Sequence, residues 1–354
     1  MSVTDTSDAQ LRVRSTASQR IIAGGIVLAF LYWAGSVVMT ILLSVLVAYM
    51  LDPIVEWLER FRIPRGLGAL LVLLLTLGLL SLLGYMVWDR VDRFIDDWPK
   101  YSAKLKQAAA AVEEKIERVE TEVQRIAPQE RTSRLVRIAE GTPIRGWLVA
   151  GLGSLYSVLL FISFVPFLVF FMLAAKRDVW HATLQLFPPT ERTRVKLALE
   201  AVTAMLRSYV IGNVLVAMIL AVVSWVFFMI IGLDYPFLVG FASGFLNLVP
   251  YLGAVLAWVP PLVIGLAKYN SVTPFLGIAA VLGFFHIIAV NVLMPAVVGK
   301  KVHLNALAVT VALLFWGWMW GGIGLILAIP ITATMKVICD HVDPWQPIGR
   351  WLGT

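Results

Sequence analysis

Five residues, Gly244, Asn247, Pro250, Tyr251 and Gly253, interrupt an uncharged segment that runs from residue 237 to 267. Proline removes an N–H donor and clashes with the preceding turn, which frees carbonyls, while glycine permits close approach or bending. Asn247 and Tyr251 add an amide and a phenol where hydrocarbon would penalise unpaired polar groups. In lipid such breakers are tolerated where they face protein or water, and broken helices of this kind build substrate sites near the midplane of transporters. The group therefore reads as a candidate solute pathway, weighed against a kink satisfied by a neighbouring helix. A second junction combines Asn291, Pro295, Gly299 and Lys300. Lys300 either draws an anionic or oxygen-rich solute or sits at the headgroups beside Lys301.

His286 is the charge-capable side chain deep within the apolar runs between 237 and 335, tyrosines aside. Histidine titrates near neutral pH, so it is a candidate for proton coupling; the alternative is a neutral, hydrogen-bonded core residue. Ser243 and His286 lie in separate runs and would serve an intramembrane hydrolase if they met within hydrogen-bond distance. The local GFASG is not a GxSxG elbow, and no HExxH occurs. Gly317 and Gly321, extended by Gly324 and followed by Pro330, read as helix packing or as a hinge. Gly240 and Gly244 form a second small-residue pair. Asp52 before Pro53 and Asp234 before Pro236 read as helix-end residues.

These residues need a membrane scaffold to position them. Of 354 residues, 60% are hydrophobic and 14% charged, and the mean hydropathy is +0.85. Soluble domains carry roughly 25% charged residues, so the expected class is an all-α, polytopic integral membrane protein. Uncharged or nearly uncharged runs occur at 21–51, 66–88, 146–175, 208–233, 237–267, 269–299 and 302–335. Each exceeds the about 20 residues that one helical span needs. The formal charge of +7 and the pI near 9.6 come from Lys and Arg dispersed beside these runs, which points to topology and not to nucleic acid. The single cysteine, Cys339, excludes an intrachain disulfide and a Cys-rich metal site. No Walker-type phosphate loop is present, and no cofactor is expected.

The expected organisation is an N-terminal tail (1–20), N-terminal membrane helices (21–88), a hydrophilic helical insert (89–146), a C-terminal membrane transport core (147–338) and a C-terminal tail (339–354). Arg12, Arg14 and Arg20, together with Arg60, Arg62 and Arg65, place both ends of 21–51 in the cytoplasm if the run crosses twice, as a tight helix pair bent near Gly35. One long tilted span is the alternative. In the insert, Phe94, Trp98, Tyr101, Leu105, Ala108, Val112, Ile116, Val119, Val123 and Ile126 make an apolar stripe of helical period. A helix over 98–127, capped by Asp97, is predicted there. Its stripe would pack on residues near Leu135 to Ile138 or on a neighbouring protomer. The 176–207 loop carries six basic and three acidic residues and is expected in the cytoplasm. Whether 237–267 and 302–335 span once or re-enter stays open: Lys268 and the Lys300/Lys301 pair exchange sides between the two topologies.

The run GFLNLVPYLG (Gly244 to Gly253), MPAVVGKKVHLNALAV (Met294 to Val309) and GWMWGGIGLILAIPITATMKVI (Gly317 to Ile338) resembles the autoinducer-2 exporter family of permeases. YMLDPIVEWLERFRIPRGLGALLVLLL (Tyr49 to Leu75) and RSYVIGN (Arg207 to Asn213) match it as well, so the likeness covers nearly the whole chain from about residue 20. The resemblance implies a multi-pass transporter of the bacterial inner membrane with about eight membrane segments, some broken or re-entrant, and a homo-oligomer. It further implies export of a small hydrophilic solute such as the quorum-sensing signal autoinducer-2, or exchange of Na⁺ or Li⁺ for H⁺. The chain departs from the pattern at Asn213, Ala254, Met294 and Ala306, and HIIAVNVLMP, before Pro295, lacks the acid frequent in relatives. A membrane scaffold or channel built around the insert is the competing non-transport reading.

Overall fold

The structure is a computed structural model that describes residues 17–126, 155–249, 252–269, 271–297 and 304–353. Among these residues every regular element is helical. Five helical segments are long and apolar enough to cross a membrane, and several shorter apolar helices accompany them. The apolar side chains that ring these helices are largely exposed, as expected where lipid and not water is the surrounding solvent.

Helix α1 (Ala17–Trp33) runs into α2 (Gly35–Arg60) through a bend at Ala34. Two successive helical bonds cross that bend, from Ala34 N–H to the Phe30 carbonyl at 2.8 Å and from Val38 N–H to the Ala34 carbonyl at 3.0 Å. The chain bends near Gly35 as its sequence suggests, but it does not reverse, so the double crossing of 21–51 is not formed. Trp320 supplies the reason for the bend. Its indole N–H donates to the Leu31 carbonyl at 3.2 Å, and a Cβ at Gly35 would lie 3.0 Å from that same indole nitrogen.

Helix α3 (Arg65–Ile126) is continuous over 62 residues. The expected helix break between the 66–88 span and the insert is absent, and Pro99 lies inside the helix instead of opening a new one. The start of the insert stripe also has a partner that its spacing did not name. Phe94, Trp98 and Tyr101 pack against Phe228, Leu233, Val239, Ile264 and Ala267 of the membrane core. Ile116 farther along is exposed, and residues 135–138 lie outside the described residues.

After α4 (Leu155–Ala174) and the short α5 (Lys176–Gln185), helix α6 (Arg192–Ile230) forms the central mast. Helices α7 (Pro236–Leu246), α8 (Leu252–Leu256) and α9 (Val259–Lys268) then make a hairpin whose two ends meet. Lys268 Nζ donates to the Gly232 carbonyl and lies 3.7 Å from Asp234, and Tyr269 Oη donates to the Ile231 carbonyl at 3.2 Å. Asp234 thus stands just before a helix start, as expected. The run 237–267 re-enters.

Helix α10 (Thr273–Ile288) crosses back through a π-turn (Ala289–Leu293) into α11 (Met294–Val297). Pro295 cannot donate to the Asn291 carbonyl one turn earlier, and the widened π-turn accommodates that missing bond. The last long element, α12 (Ala306–His341), also folds back on itself. Gly321 adopts φ 62°, ψ −140°, a conformation open to glycine, and Gly324 then packs directly against the Trp316 carbonyl. Residues eight apart on a straight helix would be about 12 Å apart along the axis. The ends of this second hairpin meet through α13 (Gln346–Leu352), where Asn305 N–H donates to the Leu352 carbonyl at 3.0 Å.

Candidate functional site

The two faces of the molecule can be told apart by what ties them. One is basic: it carries Arg60 to Arg65, the 176–207 segment, Asn305 and the C-terminal end, with Arg194 bonded to Asp343 at 2.7 Å. The other gathers residues 93–104, 231–236 and 267–269. There Tyr101 Oη donates to Asp234 at 3.2 Å, Tyr235 Oη donates to Asp97 at 2.5 Å, and Lys104 donates to the Ala267 carbonyl.

From that second face the first hairpin descends along α6. The glycines at 240 and 244 set the fit: a Cβ at Gly240 would lie 2.5 Å from the Trp225 backbone, and one at Gly244 would lie 2.4 Å from that of Ala221. Gly244 therefore serves close helix packing. At the tip, Gly253 N–H closes a turn on the Val249 carbonyl at 2.7 Å, in space too tight for any Cβ. Asn213 of α6 donates from Nδ2 to the Leu248 carbonyl at 3.1 Å. Asn213 lies 17 residues before Ile230, so the tip reaches about 26 Å down the mast, most of the roughly 30 Å hydrocarbon core.

In the crook of this hairpin lies a small cavity of about 20 Å³, room for one water molecule. Its polar wall is Ser224 of α6, Ser243 and Asn247 of the descending arm, and His286 of α10; Trp258 and Phe285 close it. Ser243 and Ser224 are almost fully buried, at 2% and 3% exposed. Ser243 Oγ and His286 Nδ1 find no hydrogen-bond partner among the described residues. Two unpaired polar atoms facing one small cavity, walled on its remaining sides by apolar groups, cost free energy that a bound polar guest would recover. Among the described residues, no carboxylate and no cationic side chain line it. The arrangement can hold a hydroxyl, a water or a proton in transit, and the imidazole is the titratable group among its described lining residues.

The structure thus joins Asn247 and His286, which the sequence placed in separate groups. Ser243 is in the same cavity, yet it makes no hydrogen bond to His286, so the nucleophile–base contact of a hydrolase is not formed. Asn291 and Pro295 are exposed and do not reach the cavity; Asn291 donates to its own helix at the Ile287 carbonyl, 2.9 Å away. Pro250, Tyr251, Gly299 and Lys300 lie outside the described residues. Gly317, Gly321 and Gly324 build the inside of the second hairpin, where Leu325 crowds Gly317, and Pro330 is buried in its returning arm. Ser224 and Asn213 were missed. Their signal was a lone polar residue inside an otherwise apolar stretch.

A second constellation, at the basic face, differs from what the sequence suggests. Asp52 is 2% exposed and lies inside α2, not at a helix end. It accepts from Arg65 at 2.7 Å and from Lys176 at 2.5 Å. Glu56 accepts from Lys176 at 3.2 Å and from Arg207 at 3.1 Å, while Glu59 accepts from Arg65 at 3.1 Å and Arg177 at 3.2 Å. Arg65 Nε also donates to the Leu173 carbonyl at 2.7 Å. One network therefore clamps α2, α3, α4, α5 and α6 together. The 52, 56, 59 spacing, one face of a helix, was its legible trace.

Comparison with known proteins agrees with this architecture. The family profile described as AI-2E family transporter matches residues 21–343. YrrI of Bacillus subtilis (strain 168), provisionally named as a transport protein, is 30% identical over 311 residues, covering 85% of each chain. The AI-2 transport protein TqsA of Escherichia coli (strain K12) is 23% identical, covering 92% of this chain and 91% of TqsA. PerM of the same strain, provisionally named a permease, is 24% identical over 88% of this chain and 89% of its own length.

Proposed function

We propose, from the premise that this chain belongs to the AI-2E transporter family, that it exports a small hydrophilic solute across the bacterial inner membrane by movement of the first hairpin. The observation that carries this reading is the buried cavity of Ser224, Ser243, Asn247 and His286 at the crook of a re-entrant segment. A polar site enclosed at membrane depth, bounded by a hairpin free of covalent continuity at its tip with the mast it packs on, is suited to occlusion and release. Autoinducer-2, the cargo in the name of TqsA, is one candidate solute. A second reading, exchange of Na⁺ or Li⁺ for H⁺, is favoured by His286, the titratable group among the cavity's described lining residues. In both readings the basic face is cytoplasmic, the chain works as a homo-oligomer in the lipid bilayer, and no enzymatic step is involved.

The test is flux into proteoliposomes of the purified protein, with autoinducer-2 or with Na⁺ under an imposed pH gradient. Asn247→Ala is expected to lower saturable flux by about tenfold, the equivalent of one lost interaction of about 1.4 kcal/mol. His286→Ala is expected to uncouple the pH-driven assay while leaving downhill solute flux measurable. Flux of both cargoes no greater than in empty liposomes would overturn both readings and favour the scaffold.

A further inference from the structure

A larger cavity opens at the basic face, and none of the residues lining the hairpin cavity lies in it. It measures about 590 Å³, within the range of ordinary ligand pockets. One face of α6 forms its wall, with Thr203, Arg207 and Ser208 at helical spacing, opposite Lys176 and Trp180 of α5 and Val297 at the end of α11. A neighbouring cavity of about 310 Å³ shares Lys176, Trp180 and Thr203 and continues inward between apolar residues such as Ala48, Met172 and Leu173. Polar mouth and apolar annex thus form one recess.

The cations at the mouth are held in place from behind. Glu56 accepts from Arg207 through Nη1, and a guanidinium carries five N–H donors in a rigid fork. Lys176 is anchored by Asp52 and Glu56. Glu200, the acid among the described residues of the mouth, has Lys196 3.8 Å away, and Asp52, which lines the annex, is bonded to Arg65 and Lys176. At the mouth itself Lys176 and Arg207 face one carboxylate, Glu200, so cations outnumber acids among the described lining residues. The recess also stands below the hairpin cavity along α6. Ile211 lines the recess and Leu220 the upper cavity, a separation of about 14 Å along α6.

We propose that this vestibule binds small organic anions with an apolar body, the anionic group at Arg207 and Lys176 and the body against Trp180 and the annex. The proposal rests on the transporter reading, for which it supplies the cargo class and the entry site. Its test needs no flux, so the two can fail separately. In a Cys339→Ser background, Ala204→Cys places a thiol at an exposed position of the mouth, and Ile211→Cys places one deeper, in case the first variant folds poorly. Thiol labelling from the basic face is timed with a sulfonate-bearing and an ammonium-bearing methanethiosulfonate, each normalised to its rate with a free thiol.

The sulfonate reagent is expected to be faster by on the order of tenfold, and Arg207→Gln to bring the ratio towards one. Phenylacetate is expected to slow labelling where its neutral isostere phenylacetamide does not. Equal or inverted reagent rates, a ratio indifferent to Arg207→Gln, or equal protection by phenylacetamide would each overturn the proposal.

Discussion

Asp52 shows how a single side chain can carry more structure than its neighbourhood in sequence suggests. Its carboxylate is the meeting point of Arg65 and Lys176, and both partners come from other helices. Removing one member of a buried ionic group leaves the others uncompensated, which costs about 3–5 kcal/mol. Asp52→Ala is therefore expected to lower the thermal unfolding midpoint of the detergent-purified protein sharply, whereas Lys196→Ala, in an exposed pair, should leave it nearly unchanged. Asn213→Ala acts more locally: the Leu248 carbonyl loses its donor, at a cost of about 1–3 kcal/mol. Hydrogen exchange should rise at the hairpin tip and not in α2 or α12. At this scale the sequence was a partial guide. Asn247 and His286 were recognisable because polar groups are conspicuous in apolar runs. Their partnership with Ser224 and Ser243 was not, since it depends on how α6, α7 and α10 pack.

Individual helices explain why the breakers are where they are. Gly244 and Gly321 are both small, yet different physics constrains them. At Gly244 the obstacle is space, with the Ala221 backbone 2.4 Å from any Cβ. Gly244→Leu must push α7 away from α6, an overpacking cost of about 1–3 kcal/mol, and flux should fall with stability. At Gly321 nothing lies within 4 Å, and the obstacle is the backbone, with φ at 62°. Gly321→Ala is expected to cost a similar 1–3 kcal/mol from strain alone, while Gly322→Ala next to it, with open space and no positive φ, serves as the quiet control. Thermal unfolding of the three variants distinguishes the causes. The bend at Ala34 and the continuity of α3 escaped prediction for a common reason. A long apolar run and a long amphipathic one do not reveal by composition whether the chain between them reverses, bends or continues. Trp320 and the membrane core decide that from a distance.

For the whole molecule, sidedness follows from the contacts at each face. Because α6 crosses once and the first hairpin returns to its own starting face, residue 272 lies opposite the 176–207 segment. A cysteine at Val272, which is 69% exposed, should react with an impermeant thiol reagent from the face opposite to one at Glu191, in the Cys339→Ser background. Ile348→Cys should share the side of Glu191, because Asp343 is tied to Arg194. Reaction of Val272→Cys from the same face as Glu191→Cys would mean that 237–267 crosses once. The charge pattern alone could not decide this, since one lysine separated the two topologies.

The hairpins also have an order. One span, α6, leads to a hairpin that enters from the far side; a second span, α10 to α11, leads to a hairpin that enters from the basic side. The two span–hairpin units thus run in opposite senses across the bilayer, the plan of an inverted repeat. A plan of this kind has no preferred direction: any rearrangement that opens one half to one compartment has a mirror counterpart of comparable cost that opens the other half to the opposite compartment. Net direction then comes from the gradients and from where the two halves differ, and His286 of α10, with no histidine in α6, the corresponding span, is one such difference.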